Sequence, residues 1–374
     1  MTRARANVEN VATLLERALR AGLAVGWNAL AAPRGRDGAV WCSGSPSRGG
    51  ELMTPDVLFD LASLTKPLVT TTLLLLARRD GLDLETPLAE LLPELAASPW
   101  CSVSLVQCAT HSAGFPAWAP LYALGGCSRE AYLRALAQLE PIAAPGTRVE
   151  YSCPGFLALG LALERRGGAD LAALFDKGVA TLLGLAGELQ FAPGNERSVA
   201  GGEARWFVEA DLLARRGLTG EPPPARAGVA PCDDGNARGL GGVGGNAGLF
   251  GTAAAVAALA VEYLPGGGRL LTATEAALAT SCRTAGLEQA RGLGWQLAAT
   301  PGCSAGAALP ASAFGHTGFT GVSVWADPVS SRVYVLLGNR LHPGGRTPDL
   351  HPLRRRFHAL ASRQHVRAEG SAGL

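Results

Sequence analysis

Lysine is nearly absent from this chain of 374 residues. Of its 33 basic residues only Lys66 and Lys177 are lysines, and the rest are arginines. An arginine side chain keeps its proton in a protein, whereas a lysine amine can act as a base when its surroundings lower its pKa. The two lysines are therefore the positions at which an amine base is available.

The chain also lacks a strong net charge, long apolar runs and patterned cysteines. A net charge of +2 gives no electrostatic basis for binding nucleic acid or an anionic membrane. The longest apolar runs fall short of the ~20 residues that a membrane span needs. The eight cysteines show neither Cys-x-x-Cys nor zinc-finger spacing. We therefore predict no membrane span, no metal and no cofactor. We expect a cytoplasmic protein with reduced cysteines, because no stretch is a convincing signal peptide, and a periplasmic location stays open.

Helical and extended patterns divide the chain into three parts. Strands are predicted near both ends, at 23–32, 38–43, 293–298, 315–318, 321–326 and 332–338. Between them the pattern is helical, at 66–79, 84–92, 102–110, 129–139, 155–165, 171–182 and 252–263. Helices are also predicted at 8–21 and 352–361. We predict an α+β fold in which both chain ends form one antiparallel sheet with flanking helices.

This arrangement suggests a division into lobes. Residues 1–65 and 290–365 would form an α/β sandwich lobe, and residues 66–289 a mainly helical lobe. A cleft between the lobes would hold the site. Residues 366–374 have no apolar anchors and are predicted to be disordered.

One of the two lysines belongs to a short motif, Ser63-Leu64-Thr65-Lys66, which precedes an apolar helical run. Residues three apart on a helix lie on the same face, so the two polar side chains would point the same way. A serine hydroxyl is a weak nucleophile until a neighbouring base takes its proton. The motif therefore predicts a serine nucleophile with an amine partner.

Two further stretches fit an acyl-transfer site. Tyr151 and Cys153 stand just before a predicted helix, and a tyrosine beside an ammonium group can shuttle protons. His316-Thr317-Gly318 lies on a predicted strand, along which a substrate could bind. A backbone N–H there could join that of Ser63 in an oxyanion hole. Each stretch alone also fits an ordinary structural role.

Together, in this order, the three motifs resemble the serine β-lactamase and penicillin-binding protein superfamily. The similar branch contains class C β-lactamases, D-alanyl-D-alanine carboxypeptidases and related esterases. Further stretches that look like the family are residues 110–116, 248–253, 292–295 and 339–343. The resemblance covers nearly the whole chain and implies the β-lactamase/transpeptidase-like fold.

The resemblance also implies roles for individual residues. Ser63 would be the nucleophile, with Lys66 and Tyr151 as the proton-transfer pair. The substrate-binding positions would be Cys153 and the strand residues His316, Thr317, Gly318 and Phe319. The backbone N–H groups of Ser63 and Phe319 would bind the oxyanion. The expected partner is a small acyl substrate: an ester, a β-lactam or a peptidoglycan-type peptide.

Two positions depart from the family pattern. Cys153 stands where relatives commonly have Asn or Asp, and a thiol is a poor substitute for that acceptor. It is either an inert core thiol or a thiolate that holds Lys66. His316 stands where most β-lactamases have lysine, so the grip on a substrate carboxylate should be weaker. Both changes count against efficient β-lactam hydrolysis.

Three functions stay open from the sequence. The first is a serine hydrolase acting on a simple ester or amide. The second is a D-alanyl-D-alanine carboxypeptidase or weak β-lactamase. The third is a catalytically silent relative that binds such ligands. Gly239 to Gly244 also match G-x-G-x-x-G, but no predicted strand precedes them, so we do not expect a dinucleotide site.

Overall fold

The structure is a computed structural model that describes residues 9–35, 37–194, 198–200, 207–218, 222–224, 226–341 and 347–370. Its strands are β1 Gly26–Pro33, β2 Ala39–Gly44, β3 Leu58–Asp60, β4 Leu189–Phe191, β5 Val199–Ala200, β6 Leu249–Gly251, β7 Gln296–Leu297, β8 Phe314–Thr317, β9 Ser323–Asp327 and β10 Arg332–Gly338. Its α-helices are α1 Val11–Arg20, α2 Thr72–Arg79, α3 Leu88–Leu91, α4 Leu105–Ala109, α5 Leu121–Gly125, α6 Arg129–Ala137, α7 Cys153–Gly167, α8 Leu171–Phe175, α9 Thr181–Leu183, α10 Phe207–Arg215, α11 Gly235–Gly239, α12 Ala253–Val261, α13 Ala273–Thr280 and α14 His351–Gly370.

The main sheet joins the two ends of the chain. Its six strands run in the order β2-β1-β10-β9-β8-β7, and every neighbouring pair is antiparallel. β1 lies beside β10, with Trp27 opposite Gly338. A Cβ at Gly338 would lie 2.2 Å from the Trp27 ring, so this register needs a glycine there. The predicted α+β fold, with one antiparallel sheet built from both chain ends, is confirmed.

Helices cover both faces of this sheet, because the central strands bury side chains on both sides. On one face, α1 and α14 pack over a cluster that contains Trp27, Trp325 and Tyr334. On the other face, α12 packs on β1 and β10, where Leu30 and Val335 belong to the larger core. The first and last helices therefore flank the sheet as predicted.

Several predicted elements differ in extent from those observed. A second sheet, in the order β4-β6-β3-β5, was not predicted, because its strands are only two or three residues long. The predicted helix 66–79 begins with a π-helical stretch, Lys66–Thr71, before α2. The predicted strand 293–298 is reduced to β7.

The last helix is longer than predicted. α14 runs to Gly370 instead of ending at 361, so residues 366–370, predicted to be disordered, are helical. Residues 371–374 lie outside the described residues. The division into two lobes stays a prediction, and the larger core includes residues from both predicted lobes.

Candidate active site

The candidate nucleophile lies in a tight turn directly after β3. Ser63 belongs to a 3₁₀ turn, Ala62–Leu64, and Ala62 has a positive φ of 44°. A non-glycine residue in this region is strained and needs support from its surroundings. The buried Asp60 carboxylate provides it: one oxygen accepts from the Ala62 N–H at 2.8 Å and the other from the Asp233 N–H at 2.7 Å.

Two predicted residues, Lys66 and Tyr151, contact the hydroxyl of Ser63. Lys66 Nζ lies 3.0 Å from Ser63 Oγ, and the Tyr151 hydroxyl lies 2.6 Å from the same oxygen. The spacing of three residues therefore brings serine and lysine together, although the backbone between them is 3₁₀ and π-helical. Tyr151 arrives from a segment 88 positions further along the chain. These are the distances that proton transfer to or from a serine oxygen requires.

Lys66 is completely buried and has two further partners. Its ammonium group donates to the Asn246 carbonyl at 3.0 Å and contacts Cys153 Sγ at 3.5 Å. Burial alone would lower the pKa of Lys66, but the negative charge that Cys153 or Tyr151 acquires on losing its proton favours the ammonium form, so the pKa lies above its usual range. Burial raises the pKa of Tyr151 as well. At neutral pH the pair is therefore an ammonium beside a neutral phenol.

Cys153 does face Lys66, as one of the two sequence interpretations requires. However, burial raises the pKa of the Cys153 thiol despite the attraction of Lys66. The group that takes the place of the usual amide or carboxylate is thus a neutral thiol at neutral pH. It contacts the ammonium only through a weak acceptor sulfur.

Hydrogen bonds of Ser152 hold the segment that carries Tyr151 in place. Ser152 Oγ caps α7 by accepting from the Gly155 N–H at 3.1 Å, and it donates to the Pro116 carbonyl at 2.8 Å. The Ser152 N–H donates to His111 Nδ1 at 3.0 Å, which places the His111 proton on Nε2. The His111 ring also packs 4.7 Å from the Tyr151 ring, so it helps to orient the phenol.

The third motif passes close to the serine turn at the end of β8. A Cβ at Gly318 would lie 2.9 Å from the Leu61 carbonyl oxygen and 3.3 Å from Ala62 Cβ, so only glycine allows this approach. Phe319 follows with 41% of its surface exposed. Its backbone N–H donates to no other group in the part of the chain that the structure describes.

His316 is a buried, neutral residue. Its Nδ1 lies 2.8 Å from the Thr317 carbonyl, which assigns the ring proton to that nitrogen. Burial, with Arg291 and Lys66 nearby, lowers the pKa of His316 well below its ordinary value. The idea that a charged His316 grips a substrate carboxylate at neutral pH therefore finds no support in this environment.

A cavity of about 360 Å³ opens beside the serine. All the predicted site residues line this cavity except Lys66, which contacts Ser63 Oγ, and Cys153, which contacts Lys66. The lining residues are Ser63, Tyr151, Arg291, Gln296, His316, Thr317, Gly318, Phe319, Arg340, Asp349, Leu350, His351 and Arg354. The volume suits a small molecule.

Sequence reasoning missed three contributors to the site: Asp60, Asn246 and Arg291. Asn246 and Arg291 each lie within two residues of a stretch that resembled the family, at 248–253 and 292–295. The closeness of Asn246 and Arg291 to those stretches was the signal that could have identified them. Among the described residues there is no cluster of His, Cys, Asp and Glu suited to a metal, and none of the described helices is both long and apolar enough to cross a membrane.

Comparison with known proteins shows the family to which this chain belongs. The family model described as Beta-lactamase matches residues 15–359. A protein of Escherichia coli (strain K12) described as "Putative D-alanyl-D-alanine carboxypeptidase" is 28% identical over 328 residues, which are 80% of this chain and 73% of that protein. A Salmonella gallinarum protein of the same description is 34% identical over 119 residues, 30% of this chain and 27% of its own length. The match thus spans about a quarter of the Salmonella relative.

Solved structures show the same fold. EstCE1, a hydrolase with promiscuous acyltransferase activity, superposes with a TM-score of 0.71 at 23% identity, covering 94% of this chain and 97% of its own. The D-alanine carboxypeptidase AmpC of Burkholderia cenocepacia gives 0.70 at 22% identity, with coverages of 94% and 97%. A class C beta-lactamase gives 0.70 at 18% identity, with coverages of 97% and 98%. The chain therefore belongs to the Beta-lactamase family and has its β-lactamase/transpeptidase fold.

Proposed function

We propose that this protein is a serine hydrolase that cleaves an ester or amide through an acyl-enzyme at Ser63. The observation that carries the proposal is the meeting of Lys66 Nζ and the Tyr151 hydroxyl at Ser63 Oγ, at 3.0 and 2.6 Å. A serine held by two proton-transfer groups beside an open cavity is the arrangement that nucleophilic catalysis needs.

The proton path follows from the charges of the pair. Lys66 and Tyr151 can accept the serine proton only after the pair has lost one proton, either from the ammonium or from the phenol. Ser63 Oγ then attacks the carbonyl carbon while its proton moves to the pair. The same proton passes to the leaving group as the acyl-enzyme forms. Water, deprotonated by the pair, releases the acyl group and restores Ser63.

Backbone groups would stabilise the charge that develops on the carbonyl oxygen. The candidates are the N–H groups of Ser63, on its 3₁₀ turn, and of Phe319, at the end of the His316-Thr317-Gly318 strand. Loss of one such donor typically costs a factor of ~10²–10³ in kcat. Thr317 and Gly318 would lie along the bound substrate.

Covalent labelling tests this proposal. Intact-mass measurement after incubation with a fluorophosphonate should show one adduct, which should be absent from Ser63→Ala. Lys66→Ala should also lose labelling, whereas Lys177→Ala, which changes the only other lysine, should keep it, because Lys177 is exposed on another segment. An adduct that persists in Ser63→Ala would place the nucleophile elsewhere.

A second candidate function is a D-alanyl-D-alanine carboxypeptidase or weak β-lactamase. The name of the E. coli relative, aligned over 80% of this chain, favours the peptidase. Turnover of a D-alanyl-D-alanine peptide, a chromogenic cephalosporin and a short-chain nitrophenyl ester, measured side by side, separates these activities. Labelling of Ser63 without turnover of any of the three would instead favour a silent binding relative, for which the weak acceptor at Cys153 is the main support.

A further inference from the structure

The glycine-rich stretch that matched G-x-G-x-x-G leads to the buried lysine. Residues 239–244 carry the chain from the short helix α11 back towards Lys66, and Gly245 and Asn246 follow directly. A Cβ at Gly245 would lie 2.2 Å from the Phe156 carbonyl oxygen, so only glycine lets the loop pack this closely against α7. This close packing brings the Asn246 backbone to the ammonium group of Lys66.

Asn246 connects Lys66 to a carboxylate. Its carbonyl oxygen accepts from Lys66 Nζ at 3.0 Å, and its side-chain Nδ2 donates to Asp234 Oδ2 at 3.0 Å. The other oxygen of Asp234 accepts the Ala237 N–H at 2.7 Å and so caps α11. Asn246 is completely buried, where the low dielectric strengthens such contacts. A single residue therefore links the ammonium group to the carboxylate.

Four further titratable groups near Lys66 are uncharged at neutral pH, because burial raises the pKa of a thiol and a phenol and lowers the pKa of two imidazoles. They are Cys153, Tyr151, His111 and His316. Burial lowers the pKa of Lys66, and ionisation of the thiol or the phenol would raise it, as the carboxylate of Asp234 does. A buried ammonium group is costly without an anion, and Asp234 supplies one nearby.

Asp234 belongs to a cluster of acidic groups around an arginine. The other titratable groups of this cluster are Asp60, Tyr122, Tyr132, Glu209, Cys232, Asp233 and Arg238. Burial raises the pKa of Asp60 to about 6 and that of Glu209 to about 7, and the charge of Asp234 contributes to both shifts. Above pH 9 these two carboxylates are ionised with or without Asp234, so they do not respond to its removal when Lys66 is titrated there.

We propose that Asp234 is a positioning residue for Lys66: acting through Asn246, its carboxylate holds the lysine beside the serine nucleophile as an ammonium group. It compensates for Cys153, which stands where the family pattern has Asn or Asp and is only a weak acceptor. Because the proton-transfer pair has to lose a proton before the serine attacks, Asp234 also sets how alkaline the solution must be for the reaction. This inference rests on the proposed function of Ser63.

The scarcity of lysine makes a direct test possible with the full-length protein. Labelling of lysine with ¹³Cε and ¹⁵Nζ marks two side chains for NMR, and Lys177→Arg assigns the signals by removing one. We expect the Lys66 signal of Asp234→Asn to titrate ~1 pH unit below that of wild type, because an opposite charge near the ammonium group is lost. Asparagine is also a preferred capping residue, so α11 keeps its cap. An unshifted Lys66 titration would overturn the proposal.

Asp170→Asn is the matched control. Asp170 caps α8, another helix of five residues, by accepting the Ala173 N–H at 2.8 Å, but it is exposed and acts on Arg129 instead. Its removal should leave the Lys66 titration unchanged. Asp234→Glu keeps the charge and should retain most of the wild-type value. A purely structural role of the cap predicts the reverse order, since asparagine and not glutamate is a preferred capping residue.

Activity separates this inference from the proposed function. In Asp234→Asn the kcat/KM for a neutral ester at pH 7 should rise ~3- to 10-fold, since a lower pKa of Lys66 leaves more of the pair deprotonated. If a fluorophosphonate labels Ser63 in this variant, but the Lys66 titration is unshifted or kcat/KM does not rise, the role of Asp234 is refuted and the nucleophile is not. A wild type that is not labelled refutes the nucleophile instead. Should Asp234→Asn fail to fold, Asp234→Ser, which also offers a capping oxygen, decides by the same titration.

Discussion

Asp60 supports the strained turn that carries Ser63, and its burial gives a quantitative prediction. The carboxylate is 1% exposed and accepts the N–H groups of Ala62 and Asp233. Burial raises the pKa of Asp60 from its ordinary value of 3.8 to about 6, although those two N–H groups oppose the rise. A pKa difference of about two corresponds to about 3 kcal/mol, since each pKa unit is worth about 1.4 kcal/mol.

The sign of the effect follows from proton binding. Between pH 4 and pH 6 the folded protein holds a proton on Asp60 that the unfolded chain has released. The contribution of this group to stability is therefore complete below pH 4 and is lost as the pH rises through 6. In Asp60→Asn this dependence disappears. The free energy of unfolding of wild type, minus that of the variant, should fall by about 2 kcal/mol from pH 4 to pH 7, since part of the full effect is already lost at pH 4.

Urea denaturation at pH 4, 5, 6 and 7, followed by the fluorescence of the seven tryptophans, measures this difference. The other buried carboxylates are present in both proteins. Asp233, whose pKa Asp60 helps to raise, adds a change of the same sign to the difference. Asp83→Asn, which changes an exposed carboxylate, gives the effect of losing a charge alone. A difference that stays flat, or that grows with pH, would refute the argument that burial dominates the environment of Asp60.

Three further predictions concern Lys66, Tyr151 and Cys153. Because the pKa of Lys66 and the pKa of Tyr151 are both raised, the pair is fully protonated at neutral pH. The kcat/KM for a neutral ester should rise ~tenfold per pH unit from pH 7 to 9, and a plateau that begins below pH 8 would contradict this. Because burial raises the pKa of Cys153, its thiol should alkylate more slowly than the exposed Cys127 and Cys282. Cys153→Asn should keep or raise ester hydrolysis, since an amide oxygen is a better acceptor for Lys66, and Cys153→Ala should lower it. Full activity in Cys153→Ala would mean that Lys66 is held by other groups.

Local patterns were enough to predict much of the fold. Short, largely apolar runs predicted β1, β2, β9 and β10 to within a few residues. The central strands β1, β9 and β10 lie between helical layers and bury nearly all their side chains, so their sequences are apolar along most of their length. The short strands of the second sheet gave no such signal. Two or three residues are too few to show a period, and their pairing depends on partners far apart in sequence.

In the candidate site too, the sequence predicted the local contact but not the contacts between distant segments. The spacing of Ser63 and Lys66 is local, so the sequence could predict their contact, which the structure has at 3.0 Å. The chemistry of the Tyr151 and His316 stretches suggested an acyl-transfer site, and their resemblance to a family assigned their roles, but no local rule predicted that they lie beside Ser63. Their roles stay predictions until Ser63 is labelled.

The sequence alone therefore determined which residue types are available: one lysine three positions after a serine, in a chain that otherwise uses arginine. Only the tertiary structure decided their charges and partners. Burial makes Cys153 a neutral thiol and His316 a neutral imidazole. These properties depend on desolvation and on neighbours that the fold brings together from distant parts of the chain, so no local pattern in the sequence contains them.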